Sequence, residues 1–313
     1  MAHLGDITKL NGGEIPPVDI LCIGSPCQSF SVAAGVRTGF EGKSGLFNEA
    51  ARIIQEMRCA TNGKYPQIVC FENVPGLLNC NAGRDYQAVI SAFCETEIPM
   101  PSSGKWANAG MVRGGRVDYA WIVKDAQHYN VPQRRKRLFA IADYSARRAA
   151  EILFESERLS RHFAAHEGAG QDFTADAENG TGSTGRKIAG IETPIYCLQG
   201  NMIGRTDENG PQGIGISTGI CYTLSTVDRH AIAYADGAGN YVVRRLTPLE
   251  NERLMSFVDG YTAVGHDGRV MSDSVRYQML GNSIVVNVLA YIMQNIAVRL
   301  CNSLCRSIVE DCQ

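Results

Sequence analysis

The chain carries no excess charge of either sign. Its 30 Lys and Arg residues stand against 32 Asp and Glu, a net charge of −2 over 313 residues. That balance excludes a molecule-wide basic field, so a nucleic-acid partner has to be met by local patches such as Arg134–Arg137. A long apolar run is also missing. The richest stretch, Ser283–Leu300, is broken by Asn287, Gln294, Asn295 and Arg299. It falls short of the roughly 18 uninterrupted apolar residues a membrane helix needs, and no membrane partner is expected. Nor are there close Cys/His pairs in two places, which a structural metal site requires. Cys301 and Cys305, with Cys312 nearby, come nearest, and no metal is expected. The opening MAHLGDITKL has neither the basic start nor the apolar core of a signal peptide. Eleven cysteines, an odd number mostly set in apolar runs (Cys22, Cys70, Cys94, Cys197), fit a reducing, cytoplasmic setting better than a disulfide framework.

What is present is ordinary globular usage, 44% apolar and 20% charged, which excludes disorder of the whole chain. The length predicts one large domain or two smaller ones. Over 18–142, strand-like runs (VDILCIG, QIVCFENV, YAWIVKDA, KRLFAIADY) alternate with helical stretches. In GLFNEAARIIQEMRCA the residues Leu46, Phe47, Ala50, Ile53, Ile54 and Met57 recur at helical spacing. The alternation predicts a doubly wound α/β sheet of mostly parallel strands, with function at the carboxyl ends of strands. Residues 1–166 read as the first part of this domain. The Gly-, Thr- and Asp-rich stretch 167–186 reads as a linker. Short β-like runs over 187–243 suggest a small β-rich second domain, and 244–313 returns to the first. There, LTPLENERLMSF predicts a helix capped by Thr247, with Pro248 at its first position and Glu250 three residues after the cap. A further long helix is expected from Ile284.

Three features suggest chemistry. Asp19–Gly24 is a buried-type strand that breaks into Ser25-Pro26-Cys27-Gln28. A lone cysteine is usually a packed core residue. Here it follows a strand end and has polar neighbours Gln28 and Ser29, where it can act as a nucleophile if its ionisation is assisted. Glu72 ends the apolar strand QIVCFENV; it is either a solvated cap or an acid and hydrogen-bond partner for that cysteine. Gln133–Arg137 is either a solvated basic loop or, running into the strand LFAIAD, a segment that puts Arg135 and Arg137 on one face. A thiol hydrolase would need a His base, and the nearest, His128, lies in no comparable strand-end motif.

In order along the chain, SPCQSF, FENVPG, VPQRRKRLFAIAD, RRLTPLENERLMSF and LGNSIVVNVLAYI resemble the motifs of the DNA cytosine-5 methyltransferases. The likeness spans nearly the whole chain, and the widest gap, before RRLTPLE, falls where that family's target-recognition domain belongs. GDIT (Gly5–Thr8) resembles the motif that lines the cofactor adenine. The resemblance implies a Rossmann-like methyltransferase sheet carrying a small β-rich target-recognition domain, acting on double-stranded DNA of a bacterium or phage with S-adenosylmethionine as cofactor. It implies that Cys27 adds to carbon 6 of a flipped cytosine, making carbon 5 nucleophilic. Glu72 would hold N3 and the exocyclic amine, and Arg137 with Arg135 would steady the base and its developing charge. Asp6, Ile7, Pro26, Leu46, Asn282 and Ser283 would contact the cofactor. Gln28, Ser29, Arg205, Thr223, Leu224, Arg229 and His230 would contact DNA; Lys105, Arg113 and Arg116 would touch phosphates. Arg244, Glu250 and Arg253 would be structural.

One part of the pattern is absent. The family opens with a Phe-x-Gly-x-Gly loop after its first strand and an acidic residue ending its second, and neither is found here. GIGIS (Gly213–Ser217) follows no Rossmann strand and reads as a recognition-domain loop. Without the missing strand, DILCIG becomes an exposed edge. The expectation is therefore an N-terminally truncated or split enzyme, with a second chain as a candidate source of the missing strands. The alternative is a catalytically incompetent DNA-binding relative.

Overall fold

The computed structural model describes residues 3–24, 46–154, 186–188, 191–203, 215–236, 238 and 240–310. These fall in two compact units. One lies within Met1–Lys124, Lys136–Arg161 and Gln294–Gln313, the other within Asp125–Arg135 and His162–Met293.

The first unit is built on a five-stranded sheet. Its strands are β1 (Ile20–Gly24), β2 (Ile68–Asn73), β3 (Ala109–Arg113), β4 (Asp118–Asp125) and β5 (Lys136–Asp143), in the spatial order β1-β2-β5-β4-β3. β1 and β2 run parallel, from Ile20 opposite Ile68 to Gly24 opposite Glu72. The helix α1 (Leu46–Ala60) lies between them in sequence, as a parallel pair requires. Its Phe47, Ala50, Ile53, Ile54 and Met57 are all buried on one face, as their spacing predicts. Leu46, at the first turn, is instead 38% exposed. On the outer face Arg52 bridges Glu49 and Glu56, three and four residues away.

The remaining pairings depart from the expected mostly parallel order. β5 is antiparallel to β2, with Asp143 opposite Ile68 and Leu138 opposite Asn73. β3 and β4 form an antiparallel hairpin. The hairpin follows from its connection, Gly114–Val117, which is too short for the crossover a parallel partner needs. β3 lies in the stretch that carries Lys105, Arg113 and Arg116. Odd-numbered β2 residues Val69 and Phe71 face Ile23, Phe47, Leu138 and Ala140 in the main core, together with α2 (Arg84–Cys94). Phe47, Phe71 and Phe93 meet there with ring centroids 5.5–5.8 Å apart. The opposite face of β4 meets α3 (Ala149–Phe154): Asp118 accepts from the Ala149 N–H and Lys124 Nζ donates to the Leu153 carbonyl.

In the second unit, β6 (Arg186–Ile188) pairs with β7 (Ile191–Thr193). A four-stranded antiparallel sheet then forms from β8 (Tyr196–Leu198), β9 (Ile216–Thr218), β10 (Ala231–Ala235) and β11 (Tyr241–Arg245), in the order β11-β10-β8-β9. Helix α4 (Pro248–Leu254) starts with the expected capping box: Thr247 Oγ1 accepts from the Glu250 N–H, and the Glu250 carboxylate accepts from the Thr247 N–H. Two helices follow, α5 (Asp273–Asn282) and α6 (Val286–Glu310), of which the residues from Gln294 onward belong to the first unit. By length and composition Asp273–Cys301 would suffice to cross a membrane. It breaks at Ser283, however, and Val288, Ile292 and Ile296 are buried in the protein.

Candidate active site

The carboxyl end of β2 and the amino end of β5 place two predicted residues side by side. Glu72 and Arg137 form an ion pair, Nε to Oε1 at 3.1 Å, with side chains only 12% and 14% exposed. Antiparallel register makes this possible: the ladder ends with Asn73 opposite Leu138, so Arg137 enters the sheet where Glu72 leaves it. Arg137 Nη1 also donates to the Lys136 carbonyl at 2.8 Å. Beyond Glu72 the chain is fixed by buried Asn73, whose Oδ1 accepts from the Val74 N–H at 2.8 Å. On its other side, Glu72 sits opposite Gly24, the last residue of β1. A strand-borne carboxylate and a mostly buried guanidinium therefore share the end of the sheet, an arrangement suited to holding a polar ring and stabilising charge on it. Pro26, Cys27, Gln28 and Ser29, which follow Gly24, lie outside the described residues, as do Arg205, Gly213, Ile214 and the linker up to 185.

In the same unit, Asp6 caps a short turn, Ile7–Lys9, that packs against α1. Its exposed carboxylate accepts from the Thr8 N–H at 3.0 Å and the Thr8 hydroxyl at 2.9 Å, and these bonds hold it below the usual carboxylate range. Arg52 on α1 donates to the carbonyls of Ile7 and Leu10, which fixes the turn. Ile7 packs partly into the core, and Leu46 begins α1. A charged acceptor next to apolar side chains at a helix start suits a cofactor that combines an amine-bearing ring with apolar surface.

The other predicted arginine has a different setting. Arg135 precedes β5, which begins at Lys136, so it lies outside the strand that was expected to align it with Arg137. It is 2% exposed. Its Nη1 donates to the Leu224 carbonyl at 2.8 Å, and its Nη2 to the carbonyls of Gly281 at 2.9 Å and Ser283 at 2.6 Å. Asp125 holds its backbone N–H at 3.0 Å. Arg135 thus ties the Thr223–Leu224 segment to the α5 end that carries Asn282 and Ser283. Asn282 is the exposed last residue of α5, not part of a free turn, and Ser283 Oγ donates to the Leu280 carbonyl.

Of the residues expected at DNA, Thr223 is exposed and its hydroxyl donates to the Arg134 carbonyl at 2.5 Å. Leu224 is buried and acts through its backbone. Arg229 is exposed, donates to Ser274 Oγ at 2.7 Å and lies over the Tyr277 ring, 4.9 Å from its centroid. His230 is buried: Nδ1 accepts from the Gly200 N–H and Nε2 lies 2.9 Å from the Thr223 carbonyl, and burial pushes its pKa down. Gln133, which opens the run Gln133–Arg137, is not part of a solvated loop. It is fully buried and donates to the Leu254 carbonyl at 2.9 Å.

Comparison with known proteins gives a consistent answer. The family model described as C-5 cytosine-specific DNA methylase matches residues 1–298. The Type II methyltransferase M.HhaI of Haemophilus parahaemolyticus is 30% identical over 309 residues, 93% of this chain and 80% of that protein. A protein of Escherichia phage P1 named DNA N-6-adenine-methyltransferase is 25% identical over 425 residues; the match covers 96% of this chain but only 56% of the phage protein. Among solved structures, the Dnmt2 methyltransferase of S. pombe superposes with a TM-score of 0.56 at 15% identity, covering 95% of this chain and 84% of that one. That likeness supports the Rossmann-like methyltransferase fold.

Proposed function

Since the chain belongs to the C-5 cytosine-specific DNA methylases, we propose that it methylates carbon 5 of cytosine in double-stranded DNA through a covalent adduct at Cys27. The observation that carries this reading is the Glu72–Arg137 pair at the end of the sheet, directly opposite the residue from which the chain runs on to Cys27.

Carbon 5 of cytosine is a weak nucleophile, and the target base is stacked inside a duplex, so it must be flipped out. Cys27 adds as a thiolate to carbon 6, and Glu72 gives N3 a proton or hydrogen bond and accepts from the exocyclic amine. The ring becomes an enamine with its density at carbon 5. Arg137 steadies the base and orients Glu72 through their ion pair. Bound S-adenosylmethionine supplies the methyl group. Loss of the carbon-5 proton then expels Cys27 and restores the ring. Asp6, Ile7, Pro26, Leu46, Asn282 and Ser283 are the residues assigned to the cofactor. Gln28, Ser29, Thr223, Arg205 and Arg229 are assigned to DNA. Arg135, bonded to backbone carbonyls, serves as a positioning residue.

The phage relative is named for adenine N6. An exocyclic amine attacks a methyl donor with its own lone pair and needs no covalent nucleophile, whereas carbon 5 of cytosine does. The Cys27, Glu72 and Arg137 set therefore favours carbon over nitrogen. The bacterial and phage origin of the relatives, with free thiols at Cys22, Cys70 and Cys197, supports a cytoplasmic setting.

Duplex DNA carrying 5-fluorocytosine tests the proposal. Fluorine cannot leave as a proton does, so turnover stops with the enzyme attached. With S-adenosylmethionine, a denaturant-stable complex mapping to Cys27 is expected, and Cys27→Ser abolishes it. No such complex at saturating cofactor, with DNA still bound, would favour the incompetent DNA-binding relative.

A further inference from the structure

The sulfurs of Cys197 and Cys221 lie 3.1 Å apart, one thiol hydrogen-bonded to the other. Cys197 is in β8, held on both sides by β9 and β10. Cys221 is held just as firmly. Its N–H donates to the Pro132 carbonyl at 2.7 Å, and its carbonyl accepts from the Arg134 N–H at 2.9 Å. Both side chains are buried, 4% and 5% exposed. A disulfide needs the sulfurs to close to roughly 2.05 Å, a step of about 1 Å. The hydrogen bond from Cys221 eases Cys197 toward its thiolate, against the opposing effect of burial. Cys221 is pushed the other way. With the two sulfurs in contact, one thiol can attack and the other resolve, and Cys197 is taken as the attacker.

We propose that Cys197 and Cys221 form a reversible disulfide site, closed by a peroxide, that pins the segment Cys221–Leu224 to β8. The Cys197 sulfur attacks one peroxide oxygen and becomes a sulfenic acid; the other oxygen leaves as water with the thiol proton. The Cys221 sulfur then attacks the Cys197 sulfur and displaces hydroxide, which leaves as a second water with the Cys221 proton. Two thiols are oxidised and one peroxide is reduced. The site stands apart from methyl transfer, but it acts on a segment that matters there: Thr223 donates to the Arg134 carbonyl and Leu224 accepts from Arg135.

The test uses the full chain under native conditions. It is titrated with hydrogen peroxide, its remaining thiols are alkylated, and a non-reducing digest is mapped by mass spectrometry. The expected result is a Cys197–Cys221 linked peptide, two hydrogens lighter than its thiol form, among the first disulfides to appear and reversed by dithiothreitol. Amide exchange over Tyr222–Leu224 should slow about tenfold in the oxidised form. The proposal is overturned if Cys197 stays a thiol while other cysteines link, or if the linked peptide appears only in denaturant. Cys221→Ser gives a second readout, because Cys197 sulfenic acid should then persist and be trapped by dimedone. A folded variant with no such adduct also overturns the proposal.

Discussion

Glu72 and Arg137 meet at 3.1 Å from two strands that run in opposite directions, one leaving the sheet where the other enters it. Neither side chain needs a loop to position it. Backbone register holds the carboxylate and the guanidinium, so the pair is preorganised before any base arrives.

Arg137→Ala should therefore lower kcat/KM for methyl transfer by about 10²–10³, the usual cost of losing one preorganised charge. The stability cost should be only about 1–3 kcal/mol, because Glu72 lies near enough to solvent to recruit water in place of Arg137. Arg137→Lys keeps the charge, loses the planar fork and should recover part of the rate. Transfer of labelled methyl groups to DNA, alongside chemical denaturation, measures both effects. An Arg137→Ala enzyme at full rate would remove the pair from the mechanism.

Arg135→Met should show the opposite balance. Its guanidinium donates to three backbone carbonyls from two distant segments, so the substitution should destabilise the second unit by about 3 kcal/mol or more. Denaturation midpoints with hydrogen exchange at residues 222–226 and 280–285 report this. A variant that folds normally but turns over poorly would return Arg135 to a direct role at the base.

These two arginines show what was legible in the sequence and what was not. Motif and strand-end logic singled out Glu72 and Arg137, which the structure pairs, because both are read from local pattern. The setting of Arg135 could not be read that way: its partners lie 89, 146 and 148 residues along the chain. The same limit holds for secondary structure. The apolar period of α1 and the Thr247-Pro248-Glu250 cap of α4 are local and were legible. β3 was missed because AGMVR is a half-exposed edge in a Gly-rich stretch. α5 was missed because it buries only Leu280 and Gly281, too little to leave a period.

Acid should unfold the second unit through its buried carboxylates. Burial pushes Glu250 up, but the Arg244 guanidinium, the Thr247 N–H and the Thr247 hydroxyl outweigh it and hold the pKa below the ordinary 4.5. In Glu252, burial is likewise outweighed by the Thr262 hydroxyl and N–H, Arg276 and the Gly260 N–H. A depressed folded-state pKa contributes stability that is present above the unfolded value and lost as pH falls through the folded one. Stability should therefore decline from about pH 4.5 downward. Glu250→Gln should be less stable at neutral pH and should show a shallower acid decline, read from urea midpoints at a series of pH values. An equally steep decline in that variant would assign the acid sensitivity elsewhere.

Gly281 sits at the junction that Arg135 clasps, and it has no room for a side chain. A Cβ there would lie 2.6 Å from the carbonyl carbon and oxygen of Ser225 and 2.8 Å from the Thr226 nitrogen. These are backbone atoms that cannot swing away, so the chain itself must shift. The Gly281 carbonyl is also an Arg135 acceptor, and the shift would strain that bond. Gly281→Ala should cost about 1–3 kcal/mol despite the better helix propensity of alanine. For a chain of this size that is a drop of several degrees in Tm, at about 2–4 °C per kcal/mol. The Ser283 carbonyl, two residues on, depends on the same guanidinium. If Asn282 and Ser283 hold the cofactor, the variant should therefore also bind S-adenosylmethionine more weakly, as equilibrium dialysis of the folded protein would show. A fully stable Gly281→Ala protein would mean that α5 slides freely past Ser225, and that the clasp is not the rigid element the geometry indicates.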